Sequence, residues 1–272
     1  MGAGDIERLA EGLLSVALAA ARVQMAHFAQ GVSVEIKADQ SPVTIADRQS
    51  EEIVLAGLAR VAPGVPVVSE EAASVGKIPT VGDLFFLVDP LDGTKRFIKG
   101  EPQFTINIAL IEARRPVFGL VYAPALPDFF VTVAPRQAAA GRLPPDSDVR
   151  TLADCRLEPL RSRVPDPNAL SALTSQTHLN RATERFLDSR GVMQRKAIAS
   201  SLKFGLLARG EADVYPRAGE TSEWDTAAGH AVLDAAGGQV TTLDGAPLLY
   251  AKPGFLNPDF VAWGRGPLPA RW

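Results

Sequence analysis

Two aspartates stand three residues apart in Asp89-Pro90-Leu91-Asp92-Gly93-Thr94, directly after the apolar run 85–88. That run predicts a short buried strand. A strand ending in this way delivers two carboxylates to one rigid point, and oxygen ligands of that kind suit hard cations such as Mg²⁺ or Ca²⁺. Two more acids sit where apolar elements end. Glu70 follows the run 65–69, and Asp225 adjoins Trp224 at the start of an alanine-rich helical pattern. Four carboxylates in one pocket cannot all remain ionised without cations, because like charges raise one another's pKa. Two Mg²⁺ ions roughly 3.5–4 Å apart would neutralise them and serve in-line displacement at phosphorus. Phosphate monoesters are among the slowest substrates to hydrolyse unaided, with enhancements approaching ~10²¹, so strong charge stabilisation is what that chemistry requires.

Each acid also has a plainer use. Asp-Gly after a strand serves in turns, Asp225 is a favourable charge at a helix start, and Thr44-x-x-Asp47 reads as a capping box. Their coincidence in one chain is harder to explain by turns and caps alone. Competing chemistries lack their signatures, since the chain has no G-x-S-x-G, no phosphate loop ending in Gly-Lys-Ser/Thr, no G-x-G-x-x-G and no H-E-x-x-H. The three histidines, His27, His178 and His230, are scattered, and His27 and His230 read as structural.

The elements that must position these groups follow from periodicity. Residues 6–30 predict one long helix stopped by Gly31, with Ile6, Leu9, Leu13, Val16, Ala17 and Ala20 on its apolar face. A strand over 34–37, a helix over 45–61 ended by Pro63-Gly64 and a strand over 65–69 come next. Residues 105–112 and 117–122 predict a hairpin turning at Arg114-Arg115-Pro116, with 129–133 continuing the sheet. Residues 135–167 lose the pattern and read as a junction. Beyond it, strands over 170–175, 192–198, 212–216 and up to 243 alternate with helices over 180–190, from Ser200 to Gly210, and 225–236. Asp244-Gly245 is a hairpin turn.

The chain has 272 residues, 46% hydrophobic and 22% charged, which bounds one large or two small domains of an ordinary soluble enzyme. A net charge of −3 offers no basic field for nucleic acid. The single cysteine, Cys155, precludes an internal disulfide or a multi-cysteine metal site. The acidic start, with Asp5, Glu7 and Glu11, does not read as a signal peptide, and no window of about 18 residues is uninterruptedly apolar, which predicts no membrane-spanning helix.

With these residues in view, the chain resembles the inositol monophosphatase superfamily. The family's Asp-Pro-x-Asp-Gly-Thr stands at 89–94, and its Trp-Asp-x-Ala-Ala-Gly at 224–229. Within that superfamily the segments 37–47, 69–71, 91–99, 104–111, 200–204 and 224–232 look most like the bacterial 3′(2′),5′-bisphosphate nucleotidases of the CysQ type. The resemblance implies two or three Mg²⁺ ions held by Glu70, Asp89, the Leu91 carbonyl, Asp92 and Asp225, with Asp89 bridging. It implies that Asp47 and Thr94, with Glu70, ready the attacking water, and that Gly93 and Thr94 open a helix toward the phosphate. On the nucleotide side it points to Ser200 and Ser201 capping a helix, with His178, Lys203 and Arg217 as further contacts; without it, Lys203 and Arg217 read equally well as exposed charges. Two departures stand out: Gln176 occupies a position where arginine is expected, and 135–167 lacks an expected glycine-aromatic hairpin.

The fold expected is a layered α-β-α-β-α sandwich of the α/β class. An antiparallel sheet lies in the half 1–165, which carries the metal motif, and a smaller mixed sheet in the half 166–272, which carries substrate contacts, the two making one catalytic unit. The substrate implied is adenosine 3′,5′-bisphosphate, a small phosphate ester, hydrolysed to AMP and phosphate. An inositol or sugar phosphatase and a non-catalytic nucleotide-sensing module are the alternatives. Neither nucleic acid nor an obligatory protein partner is expected. The chain is expected as monomer or homodimer in the cytoplasm, with peripheral attachment to the inner membrane face left open. Asp89→Asn and Asp225→Asn should each abolish turnover while leaving the circular dichroism spectrum unchanged; near-normal activity in either would remove that acid from the metal site.

Overall fold

In the computed structural model, residues 2–31, 33–37 and 40–266 are described. The long apolar stripe near the N-terminus forms α1 (Ala3–Gln30), stopped by Gly31 at φ 76°. A small hairpin of β1 (Val34–Ile36) and β2 (Pro42–Thr44) leads into α2 (Ile45–Val61). β3 (Val67–Ser69) runs directly into the short α3 (Glu70–Ser74). Then come β4 (Leu84–Asp92), α4 (Thr94–Ile98), β5 (Thr105–Glu112), β6 (Arg115–Ala123), β7 (Asp128–Ala134), β8 (Gln137–Arg142) and β9 (Glu158–Pro159). These strands make a seven-stranded sheet in the order β3-β4-β5-β6-β7-β8-β9, antiparallel except for the parallel β3–β4 pair.

The remaining chain forms β10 (Ser171–Ser175), α5 (Arg181–Asp188), β11 (Gln194–Ile198), α6 (Leu202–Ala208), β12 (Val214–Arg217), α7 (Ala227–Ala235), β13 (Gln239–Thr242) and β14 (Phe260–Trp263). Its five-stranded sheet runs β11-β10-β12-β14-β13, with parallel pairs on one side and antiparallel pairs on the other.

Three cores stack these layers. α1 and α2 cover one face of the larger sheet through Leu13, Val54, Phe86, Ile108 and Tyr122. The opposite face buries Phe85, Leu87 and Phe130 against α6 and α7, which in turn rest on Tyr215, Val240 and Phe260 of the smaller sheet. Leu187 of α5 closes the far side over Val214 and Trp263. The layering is therefore α-β-α-β-α. Because the larger sheet is covered on both faces, β4 and β5 bury side chains on both sides, and β4 opens with the continuous apolar run 84–88.

α7 lies unusually close to the sheet. A Cβ built on Gly119 of β6 would stand 2.1 Å from the Ala228 carbonyl oxygen, so only glycine allows this approach. α1 has the length and apolar composition of a membrane-crossing helix by those measures alone, and 56% of its most apolar window is buried inside the fold.

Several local readings are corrected. The β5–β6 turn lies at Ala113 and Arg114, both with positive φ, and Arg115 already pairs with Glu112. A two-residue turn of that hand matches strand twist, so Arg115 and Pro116 fall inside the strand. The patternless segment 135–167 does contain a hairpin arm. Gln137-Ala-Ala-Ala-Gly-Arg142 pairs with β7 although alanine is a weak strand former, because burial of Ala138 and Ala140 in the core against α6 and α7 outweighs propensity. β2, α3 and β14 were not anticipated, being short or lacking period. Asp225 sits in a 3-10 turn, Glu223–Asp225, before α7 rather than in the helix itself.

Gly119→Ala should lower unfolding stability by about 2 kcal/mol or more, since the obstacle is backbone that cannot rotate away. Gly4→Ala, on an open surface of α1, should be neutral or stabilising by up to about 1 kcal/mol. Urea titration of both variants checks the contrast.

Candidate active site

Between the two sheets opens a cleft of about 710 Å³. Its lining includes Glu70, Asp89, Leu91, Asp92, Gly93, Thr94, His178, Ser200, Lys203, Arg217 and Asp225. Asp47 lies behind Thr94, buried. Ser201, like Asp47, is buried away from the cleft lining.

The metal-motif loop is built from β4. The β4–β5 register shifts between Asp89 and Asp92, which breaks the pairing and turns both carboxylates out of the sheet. Leu91 N donates to Asp89 Oδ1 at 3.0 Å, while the Leu91 side chain anchors in an apolar cluster with Ala46, Phe97 and Phe104. Phe28 of α1 joins that cluster, 5.5 Å from the Phe97 ring and 5.1 Å from Phe104. Gly93 takes φ 99°, and a Cβ there would meet the Gln103 carbonyl oxygen at 3.1 Å. Glycine is therefore required both by conformation and by space. Arg96 N and Phe97 N bond back to Gly93 O, which leaves the first N–H groups of α4 outside the helical ladder.

Asp47 does two jobs at once. Its Oδ2 accepts from Thr44 N at 2.8 Å and from Thr44 Oγ1 at 2.6 Å, completing the capping box of α2. Its Oδ1 accepts from Thr94 Oγ1 at 2.9 Å. Thr94 has one hydroxyl hydrogen, and Asp47 is a nearer acceptor than the Leu91 carbonyl at 3.2 Å. Burial raises the Asp47 pKa, while the bonds from Thr44 and Thr94 oppose the rise.

The acids crowd one another. Burial pushes the Asp89 pKa well above the ordinary 3.8, and the neighbouring Glu70, Asp92 and Asp225 add to it. Glu70 and Asp89 are within hydrogen-bonding reach of each other. Asp225 is likewise raised, by burial first and then by Asp92 and Glu70. For Asp92, burial raises the pKa against the nearby Lys203 charge and a short bond, 2.6 Å, from Ser201 N. Lys37 places its ammonium 2.9 Å from Glu70 Oε1 and 2.7 Å from Glu71 Oε1. Glu71 is pushed up to about 7 by burial and by Glu70, against the pull of Lys37.

These groups form an all-oxygen donor set, the kind preferred by Mg²⁺ and ill-suited to softer metals. Among the described residues, no three His, Cys, Asp or Glu side chains are closed into a cage around one point. The acids instead turn to protein donors: Asp92 to Ser201 N, Asp225 to Ser222 N at 3.0 Å, Glu70 to Lys37. Their raised pKa values record negative charge that these donors leave unneutralised, and added cations fit that deficit.

The cleft is also lined by cations, and Lys203 and Arg217 act on Asp92 and Asp225. His178 is held below its ordinary pKa by burial and then by Arg217, Lys95 and Lys203. Lys203 and Arg217 are 5% and 7% exposed, so neither is a solubilising surface charge. Lys203 Nζ donates to Ser200 O at 2.6 Å and Ile198 O at 3.3 Å and lies 4.9 Å from the Tyr215 ring centre. Burial pulls its pKa down to about 8. Arg217 Nη2 donates to Glu220 O at 2.8 Å. Ser201, not Ser200, occupies the cap position of α6, and Ser200 adopts φ 54°. Ser201 differs from its expected substrate contact because its donors are committed inward, N–H to Asp92 and Oγ to Asp225 O at 2.6 Å.

Sequence reasoning gave no role to Lys37, Asn107, Glu223 or Asn257. Asn107 Nδ2 donates to Ser201 Oγ at 3.0 Å and approaches Asp92 Oδ2 at 3.4 Å. Glu223, fully buried, accepts from Ala251 N, Lys252 N and Lys252 Nζ and so fixes the turn that carries Asp225. Asn257 Nδ2 ties the same turn through Ser222 O at 2.8 Å. Lys37 and Asn107 left a trace in the sequence, inside the segments 37–47 and 104–111. His230 and His27 are structural as read, bonded to Tyr250 Oη and Gln49 Oε1.

Asp89 and Asp225 bind protons more tightly folded than unfolded, so the metal-free fold loses stability as pH rises from about 3.8 through their raised values. In EDTA the melting temperature should therefore be several degrees higher at pH 5 than at pH 8, where 1 kcal/mol corresponds to roughly 2–4 °C. Mg²⁺ should raise the pH 8 value, and Asp89→Asn should narrow the pH difference. A metal-free melting temperature that rises steadily from pH 5 to pH 8 would contradict the crowding.

Comparison with known proteins accords with this geometry. The chain matches the inositol monophosphatase family over residues 5–265. It is 41% identical over 231 residues to the 3′(2′),5′-bisphosphate nucleotidase CysQ of Shigella flexneri, covering 84% of this chain and 88% of that one. The CysQ of Escherichia coli K12 is 40% identical over 230 residues, covering 84% and 88%. Among solved structures, CysQ from Bacteroides thetaiotaomicron superposes with a TM-score of 0.77 at 33% identity, covering 94% of this chain and 97% of that one. Motif, fold and cleft agree with these likenesses across nearly the whole length, and the chain belongs to the inositol monophosphatase family.

Proposed function

We propose that the chain is a Mg²⁺-dependent 3′(2′),5′-bisphosphate nucleotidase that removes the 3′-phosphate of adenosine 3′,5′-bisphosphate, giving AMP and phosphate. The observation that carries this reading is the meeting of acids and buried cations in one cleft. Glu70, Asp89, Asp92 and Asp225 line it together with Lys203 and Arg217, whose charges act on Asp92, on Asp225 and on His178. Such a cleft suits an ester with two anionic groups, one over the cations the acids would hold and one toward the lysine and arginine. Likeness to the CysQ nucleotidases supports the same substrate. Mg²⁺ dependence is general in the family. α1 turns much of its apolar face to the core rather than to lipid, which favours a soluble enzyme.

Glu70, Asp89, Asp92, Asp225 and the Leu91 carbonyl would hold two or three Mg²⁺ ions. When bound, these supply the positive charge that offsets the acids and the charge developing on the phosphoryl oxygens. Thr94 gives its hydrogen to Asp47 and so turns a lone pair toward the water it orients. As that water attacks phosphorus in line, its proton passes to the Thr94–Asp47 pair, with Glu70 as the second acceptor. The P–O bond to the ribose breaks, and the 3′ oxygen leaves with the bonding electron pair and takes a proton from solvent water to become the hydroxyl of AMP. The first N–H groups of α4, beginning at Gly93 and Thr94, receive phosphate oxygens. Ser200 and Lys203 face the second phosphate, with His178 and Arg217 against the nucleoside. Ser201 contributes by holding Asp92 rather than by touching substrate.

The test is kcat/KM for adenosine 3′,5′-bisphosphate against inositol 1-phosphate. A preference of at least about tenfold for the bisphosphate is expected, the scale of one charge-assisted contact. Preference for the inositol ester would replace the reading with an inositol phosphatase. Tight nucleotide binding without phosphate release would replace it with a sensing module.

A further inference from the structure

Arg96 is the third residue of α4, directly after the loop that carries Asp92, Gly93 and Thr94. Its Nη1 donates to Glu101 Oε2 at 2.5 Å, and its Nη2 donates to Thr177 Oγ1 at 2.8 Å. Thr177 lies 81 residues further along, in the loop between β10 and α5, and both residues line the cleft. The Arg96 side chain is only 12% exposed. A planar guanidinium held at one prong offers its other prong in a fixed direction, which a lysine ammonium does not. The residue after Thr177 is His178, whose N–H donates to Ser175 Oγ at 3.1 Å. The loop that presents His178 is thus tied at one side to its own strand and at the other to the loop of the acids. Other ties from the segments flanking the acids to the second half run through Ser201, Asn107 and Gln103, the last accepting from Ala199 N at 2.8 Å, and none of them reaches Thr177.

We infer that Arg96 is a positioning residue for substrate selection: a two-pronged strut across the cleft that fixes the His178 loop relative to the catalytic loop. Its charge is not what distinguishes it, since Lys95, Lys203 and Arg217 also act on His178. The inference deepens the nucleotidase reading and rests on His178 facing the nucleoside.

The test compares Arg96→Met, Arg96→Lys and Thr177→Val with the parent enzyme on adenosine 3′,5′-bisphosphate. Each should raise KM about five- to tenfold, the scale of one net hydrogen bond, with kcat changed less than about twofold. Adding Arg96→Met to His178→Ala should raise KM no further. Amide hydrogen exchange at residues 176–179 should quicken in Arg96→Met and in Thr177→Val. Unaltered exchange would overturn the strut whatever the substrate proves to be. A parental KM in Arg96→Lys would reduce its role to charge, and additive effects in the double variant would detach it from His178. If the parent enzyme does not prefer the bisphosphate, the substrate reading fails, while the exchange result still decides the strut.

Discussion

Asp89 and Asp225 lie in surroundings that strongly oppose their ionisation, with Glu70 and Asp92 adding charge of the same sign. Much of the polar architecture around the cleft can be understood as a response to that crowding. Lys37 is drawn to Glu70 and Glu71, Ser201 turns its N–H onto Asp92, and Ser222 N reaches Asp225. A carboxylate cluster of this sort is unfavourable for the isolated fold and useful only when cations complete it. This is how a binding site comes to oppose the stability of the scaffold that bears it.

The scaffold meets that demand with buried, saturated supports. Asp47 caps α2 and receives Thr94 with different oxygens of one carboxylate. Glu223 has no exposure and takes three donors from Ala251 and Lys252. The short α4 has little intrinsic stability as a helix, and an aromatic cluster of Phe28, Phe97 and Phe104 supplies the packing that holds it. Local hydrogen bonding and core packing thus converge on the same few backbone atoms.

Much of this was legible in the sequence, for identifiable reasons. α1 and α2 announce themselves by period and by their stops, β4 by the apolar run 85–88 and β5 by its β-branched residues. The acids could be picked out because each follows such an element. Side-chain commitments across long separations were not legible. Ser201 resembled a phosphate contact in sequence, but its bonds to Asp92 and Asp225 span 109 and 24 residues. Lys203 and Arg217 carried no mark of burial, because burial of a charge depends on partners that assemble only in the fold. β8 was hidden because three alanines have little preference for a strand, and the packing above them decides.

The contact between Gly119 and the Ala228 carbonyl has a consequence for how this enzyme can change. α7 is seated on β6 by bare backbone, so the spacing between them is set by atoms that no substitution in the surrounding core can enlarge or shrink. The turn bearing Asp225 enters that helix directly. Drift among the leucines and phenylalanines on either side can alter the stability of the fold while the height of Asp225 over the cleft stays the same. Sequence divergence in the core is in this way uncoupled from the chemistry it encloses.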